Sequence, residues 1–146
     1  ESLHLTLRFL GDVNARDAVG LDTALSTIME PAFPLRCLGL GHFGRGDKLR
    51  ALWAGIAQNK DLSRLQGKVE GAAFSAGFGD KGRKFKPHIT LARFRNPKSQ
   101  NLGDYLNAYG AFSTEPFPVT FFTLFESHMC HGGSHYIPLS DYSLPP

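Results

Sequence analysis

What the sequence lacks sets the first limits. It has two cysteines, Cys37 and Cys130, too few for the disulfide framework of a small secreted domain, so a reducing, cytoplasmic setting is expected. No apolar run approaches the roughly 18 residues that a membrane-spanning helix needs, so no membrane association is expected. No secretory pattern opens the chain. Acidic residues are missing from one stretch: positions 81 to 98 carry Lys81, Arg83, Lys84, Lys86, Arg93, Arg95 and Lys98 and no Asp or Glu. That is 7 of the 16 basic residues, in a chain whose net charge is only +3. Such a stripe attracts phosphates, and Arg83 within it is a candidate contact to a nucleic-acid backbone; a solvated loop and strand edge is the competing reading.

What is present fits one globular domain. The chain has 146 residues, is 42% hydrophobic and 20% charged, and can bury a sizeable core. Its 12 phenylalanines are many for this length. Some must fill the core, and a few can line a site.

One internal repeat organises the rest. Residues 4–9 read His-Leu-Thr-Leu-Arg-Phe, and residues 88–94 read His-Ile-Thr-Leu-Ala-Arg-Phe. The echo reads as a pseudo-symmetric duplication. Leu3, Leu5, Leu7 and Phe9 alternate with His4, Thr6 and Arg8, which predicts a half-buried strand. A helix capped by Asp12 or Asn14 should run to about Met29, where Pro31 stops it, with Ala18, Leu21, Leu25 and Ile28 on one face. Strands are expected at 35–43 and 49–57, joined by the turn Gly44-Arg45-Gly46-Asp47. A second helix should span 61–76, its apolar stripe formed by Leu62, Leu65, Val69, Ala72, Ala73 and Ala76, with Gly77 as its stop. The second His strand is expected at 86–94, a short helix near 102–109, and a closing strand pair at 119–127 and 136–142. The predicted class is α+β: two pseudo-symmetric lobes of antiparallel strands, helices on the outside, and a central cleft.

In a strand, residues i and i+2 face the same side. His4 and Thr6 therefore point one way and Leu3, Leu5 and Leu7 the other; His88 and Thr90 oppose Ile89 and Leu91 in the same manner. Each half projects one imidazole and one hydroxyl from an apolar strand. If the halves pack symmetrically, the four groups converge. Two imidazoles titrating near neutral pH can take a proton from water and give one to a leaving oxygen. Two hydroxyls can donate to non-bridging phosphate oxygens. Arg8 shares the His4 face by parity, whereas Arg93 reaches the His88 face only if the extra residue Ala92 marks a bulge. A single motif of this kind reads as an ordinary strand histidine. Two copies matched in His, Thr, Leu, Arg and Phe favour acid–base chemistry, which requires no metal and no cofactor.

These residues carry a specific resemblance. The pair His4-Leu5-Thr6-Leu7 and His88-Ile89-Thr90-Leu91 resembles the two HxTx signatures of the two-histidine (2H) phosphoesterases. The context Leu3–Gly11 and Phe85–Arg93, with Gly39–Gly44, Leu52–Gly55, and Glu126-Ser127 followed by Tyr136, resembles the branch of RNA 2′,3′-cyclic phosphodiesterases, also called 2′-5′ RNA ligases. The resemblance spans nearly the whole chain. It implies a bilobal α+β fold and hydrolysis of RNA 2′,3′-cyclic phosphate ends to 2′-phosphomonoesters, with reversible 2′-5′ ligation as a family possibility. It implies His4 as proton donor and His88 as proton acceptor, an order that the near-symmetric motifs alone leave open. The implied partner is an RNA or oligonucleotide with a cyclic phosphate end, bound by a monomer. Members of the branch carry a strand and a helix before the first motif; this chain starts three residues before His4 and is expected to lack them.

Other candidates compete for function. Phe9, Phe43 and Trp53 could stack on a base, with core packing as the alternative for each. His128, Cys130, His131 and His135 cluster within eight residues, but Gly132-Gly133-Ser134 among them reads as a hairpin turn, so no metal is assigned there. His42, beside Phe43 on a strand end, could face the cleft, with an exposed loop histidine as the favoured reading, and Gly39-Leu40-Gly41 with Gly44 lacks the βαβ context of a dinucleotide fingerprint. Two rival functions remain: a module of the same fold that holds RNA ends or nucleotides without turnover, and a 2H enzyme for another cyclic phosphate.

Overall fold

A computed structural model describes residues 3–79, 84–94 and 102–146. In chain order the elements are α1 (Ala15–Ser26), β1 (Phe33–Leu35), β2 (Cys37–Phe43), β3 (Ala51–Ile56), α2 (Lys60–Ser75), β4 (His88–Arg93), α3 (Leu102–Tyr109), β5 (Phe117–Val119), β6 (Phe121–Cys130) and β7 (Gly133–Ser143). The class is mixed α and β with antiparallel sheets, as expected. The chain divides into two compact units.

Unit 1 comprises residues 1–9, 35–60 and 83–117. Its centre is the antiparallel sheet β2-β3-β4. The 44–47 turn does join β2 to β3, and a short 3-10 turn, Gly46–Lys48, completes it. Gly44 makes it possible: its φ is +83°, and a Cβ there would lie 1.9 Å from the Lys48 carbonyl oxygen. The expected single strand at 35–43 is instead two, β1 and β2, and β2 carries an irregularity between Cys37 and Leu40. The expected strand at Leu3–Phe9 is the clearest correction. Among the described residues only Leu5 of this segment pairs, in an isolated antiparallel bridge to Ile89, and the chain bends at Leu7. Alternation gave the local parity but could not count the partners available: with one bridge, no ladder continues to Phe9.

Unit 2 comprises residues 10–34, 61–82 and 118–146 and holds α1, α2 and the β6–β7 hairpin. Asn14, one of the two expected caps, accepts a hydrogen bond from the Asp17 amide at 2.8 Å, and α1 ends at Ser26, three residues before the expected limit. Leu21 and Leu25 of α1 and Leu62, Leu65, Val69 and Ala73 of α2 are buried. Fully burying one such leucine is worth about 1.5–3 kcal/mol. Phe122 stacks on its cross-strand partner Tyr142, with centroids 4.8 Å apart. The Tyr142 hydroxyl donates to Asp22, which ties β7 to α1; burial first, and then the Asp22 carboxylate, push this phenol well above its ordinary range. The closing strands run further than their alternation indicated, to Cys130 and from Gly133.

The expectation of one motif per lobe is not met. Both motifs belong to unit 1 and pair with each other there. A repeat in sequence fixes two similar strands but not the units to which they are assigned.

Candidate active site

The Leu5–Ile89 bridge organises the site. Directly opposed residues of an antiparallel pair point to one face, and their chain neighbours point to the other. Leu5 and Ile89 thus share one face, and His4, Thr6, His88 and Thr90 share the opposite one. Strand parity continued one residue each way from this bridge would set His4 across from Thr90 and Thr6 across from His88. The two histidines are then diagonal neighbours, a relation that corresponds to roughly 7–8 Å between backbone positions.

The rest of the face comes from β3 and β2. On β3, Gly55 pairs with His88 and Trp53 with Thr90. On β2, Gly41 pairs with Trp53 and Phe43 with Ala51. By parity, Gly41, Phe43, Ala51, Trp53 and Gly55 line the same face as His88 and Thr90. The Phe43 ring meets His88 edge-on, with centroids 5.1 Å apart, and Trp53 lies 5.8 Å from the same imidazole. His88 Nδ1 is 2.7 Å from the Lys86 carbonyl oxygen. A carbonyl can only accept, so Nδ1 carries a proton, and the tautomer this selects has its lone pair on Nε2.

The arginines divide. The register of β4 against β3 skips Leu91: Thr90 faces Trp53 and Ala92 faces Leu52. A bulge is therefore present, although Leu91 rather than Ala92 is the extra residue. The skip returns Arg93, opposite Ala51, to the face of His88 and Thr90. Arg8 follows the bend at Leu7, where strand parity no longer applies, and its Nε donates to the Phe9 carbonyl at 3.3 Å. Phe9 is 68% exposed and does not pack in the core. Arg83 lies outside the described residues, as do Lys81, Arg95 and Lys98 of the basic stripe, whereas Lys84 and Lys86 are exposed.

His42 is on β2 rather than in a loop. It opposes Leu52, on the face away from His88, and its Nδ1 donates to the Gly44 carbonyl at 2.7 Å. The His128–His135 cluster lies on the β6–β7 hairpin in unit 2. His128 faces His135 across the strands, and its Nε2 is 2.8 Å from Glu126. The turn expected among these residues is present, with Gly132 and Gly133 at positive φ. Among the described residues, no three His, Cys, Asp or Glu side chains are grouped as metal ligands. Sequence reasoning gave no role to the Lys86 carbonyl or to the glycines beneath Trp53. The available signal was Gly41 and Gly55 in strand interiors, where glycine marks a close approach.

Comparison with known proteins gives the family. The profile of LigT-like phosphoesterases matches residues 1–53 and 55–136. The chain belongs to this family, the two-histidine phosphoesterases. It is 31% identical over 151 aligned positions to an Escherichia coli K12 protein named RNA 2′,3′-cyclic phosphodiesterase, covering 99% of this chain and 77% of that one. An Aeropyrum pernix protein of the same name is 35% identical over 100 residues, 68% of this chain; the matched part is 57% of that relative's length. The crystal structure of E. coli LigT complexed with 3′-AMP superposes with a TM-score of 0.74 at 30% identity, covering 97% of this chain and 76% of that one.

Proposed function

We propose that this chain hydrolyses 2′,3′-cyclic phosphate ends of RNA to 2′-phosphomonoesters, using His4 and His88 as an acid–base pair. The observation that supports this reading is the Leu5–Ile89 bridge, which brings the two His-x-Thr segments side by side. His88 is the proton acceptor. With its Nδ1–H given to Lys86, Nε2 is free to take a proton from water. The water oxygen bonds to phosphorus, the bond to the ribose 3′ oxygen breaks, and His4 protonates that oxygen. Thr6 and Thr90 donate to the non-bridging oxygens as charge develops there. Arg93 adds positive charge on the same face, and Phe9 and Phe43 contribute apolar ring surface for the nucleoside. The names of the relatives support the substrate class. So does the 3′-AMP complex, since that ligand carries its phosphate on one of the two oxygens a 2′,3′-cyclic phosphate bridges.

The test is product analysis. The protein is incubated with a nucleoside 2′,3′-cyclic phosphate in EDTA, and the 2′- and 3′-monoesters are resolved by phosphorus NMR. The expected product is the 2′-phosphate, at a rate insensitive to the chelator. Saturable binding without product would replace this reading with that of a holding module, and activity lost on chelation and restored by zinc would replace it with metal catalysis.

A further inference from the structure

The His88 ring is held by more than its hydrogen bond. Trp53, Phe43 and His88 form a closed triangle of rings, with centroids 5.6 Å apart for Phe43–Trp53, 5.1 Å for Phe43–His88 and 5.8 Å for Trp53–His88. The indole lies over Gly41, where an added Cβ would come within 2.2 Å of its ring. At Gly55, on the other side, an added Cβ would be 3.6 Å from the same indole and 2.5 Å from the Leu38 carbonyl oxygen. Gly41 thus vacates the space that the tryptophan fills, while Gly55 borders the indole and makes room for the Leu38 carbonyl. The indole Nε1–H is buried, and among the described residues it has no hydrogen-bond partner. A buried donor left unpaired is a cost that an ordinary packing position avoids by using an apolar ring. The size and placement of this ring are what the site retains.

We propose that Trp53 is a positioning residue that, seated on Gly41 and Gly55, fixes the His88 imidazole so that Nε2 points at the reacting phosphate. The imidazole's χ2 torsion is soft by itself. The Lys86 carbonyl holds one ring atom, and Trp53 and Phe43 restrict the ring from two further directions. Trp53 acts through His88 and not on the substrate. The inference rests on the reading of His88 as proton acceptor.

The experiment has two arms. In the first, kcat and KM for a 2′,3′-cyclic nucleotide are measured for Trp53→Leu and Gly41→Ala, with folding checked by circular dichroism. The Gly41→Ala methyl must displace the indole while leaving every ring in the triangle chemically intact. Misplacement by about 1 Å can cost about 10²-fold, so kcat should fall by about 10–10² with KM little changed. Wild-type kcat in folded Gly41→Ala and Trp53→Leu overturns the proposal. The second arm uses no turnover. Trp53 is the sole tryptophan, and a protonated imidazole in contact with an indole quenches its emission. Emission should change with pH in a single step, lost in His88→Gln and retained in His42→Gln, whose ring lies on the opposite face. A titration that persists in His88→Gln also overturns the proposal, and this arm decides the matter if Trp53→Leu fails to fold. Wild-type turnover by His88→Gln would instead overturn the acid–base reading.

Discussion

Removing either histidine should abolish most turnover and leave the fold standing. His4 and His88 are half-buried, and neither is part of the buried core. His88→Ala forfeits the bond to Lys86, a net of about 1 kcal/mol, and ring contacts worth about 0.5–1.5 kcal/mol. Both are small beside the about 5–15 kcal/mol that holds a domain together. The kinetic loss is larger. Each variant deletes one proton transfer, about 10²–10⁴ in rate, or about 2.7–5.4 kcal/mol at about 1.36 kcal/mol per tenfold. Independent groups would lose about 10⁴–10⁸ together. Under the proposed mechanism His4 and His88 serve one transition state, so the double variant should fall only slightly below the worse single one. Turnover of a 2′,3′-cyclic nucleotide by the folded single and double variants, followed from pH 5 to 9, reads all of this. The wild-type rate should trace a bell whose limbs belong to the pair. Near wild-type rates in either single variant would refute the two-histidine mechanism, and losses that multiply would refute the coupling.

Three further outcomes are expected. Leu65, 1% exposed in unit 2, should cost about 2–5 kcal/mol when changed to Ala, read as a lowered Tm, while kcat at 25 °C is unchanged because His4, Thr6, His88 and Thr90 belong to unit 1. The Lys68 ammonium, 2.8 Å from the Glu30 carboxylate, outweighs the opposing effect of burial and holds that carboxyl below its usual value. Its stabilising contribution is therefore present above the unfolded-state pKa and is lost as pH falls through the folded one. Acid melts should show a steeper decline for wild type than for Glu30→Gln, and identical slopes would contradict the assignment. Changing the exposed Lys84 and Lys86 to Glu should weaken binding of a single-stranded oligonucleotide more than of a mononucleotide, and should flatten the salt dependence by about 0.7 for each phosphate no longer neutralised.

Much of this protein was legible in the sequence because the signals were local. Helix periodicity located α2 to within a residue at each end, and Asn14 capped α1 through its own side chain. Strand parity placed each His beside its Thr, because the period of two holds for any extended pair of residues. The repeat marked two similar segments, and these pair at Leu5 and Ile89. Tertiary structure decided what depends on partners distant in the chain. It reduced the first His strand to one bridge, because among the described residues only Ile89 pairs with it. It put both motifs in one unit, because strand pairing, not sequence symmetry, assigns a segment to a core. It turned Arg93 toward the His88 face through a bulge at Leu91, a slip of register that only the opposing β3 can define. It laid Trp53 over Gly41 and against His88, although residues 41, 53 and 88 are far apart in the chain and no local pattern links them. The sequence determined which groups could do chemistry; long-range pairing determined which of them share a face.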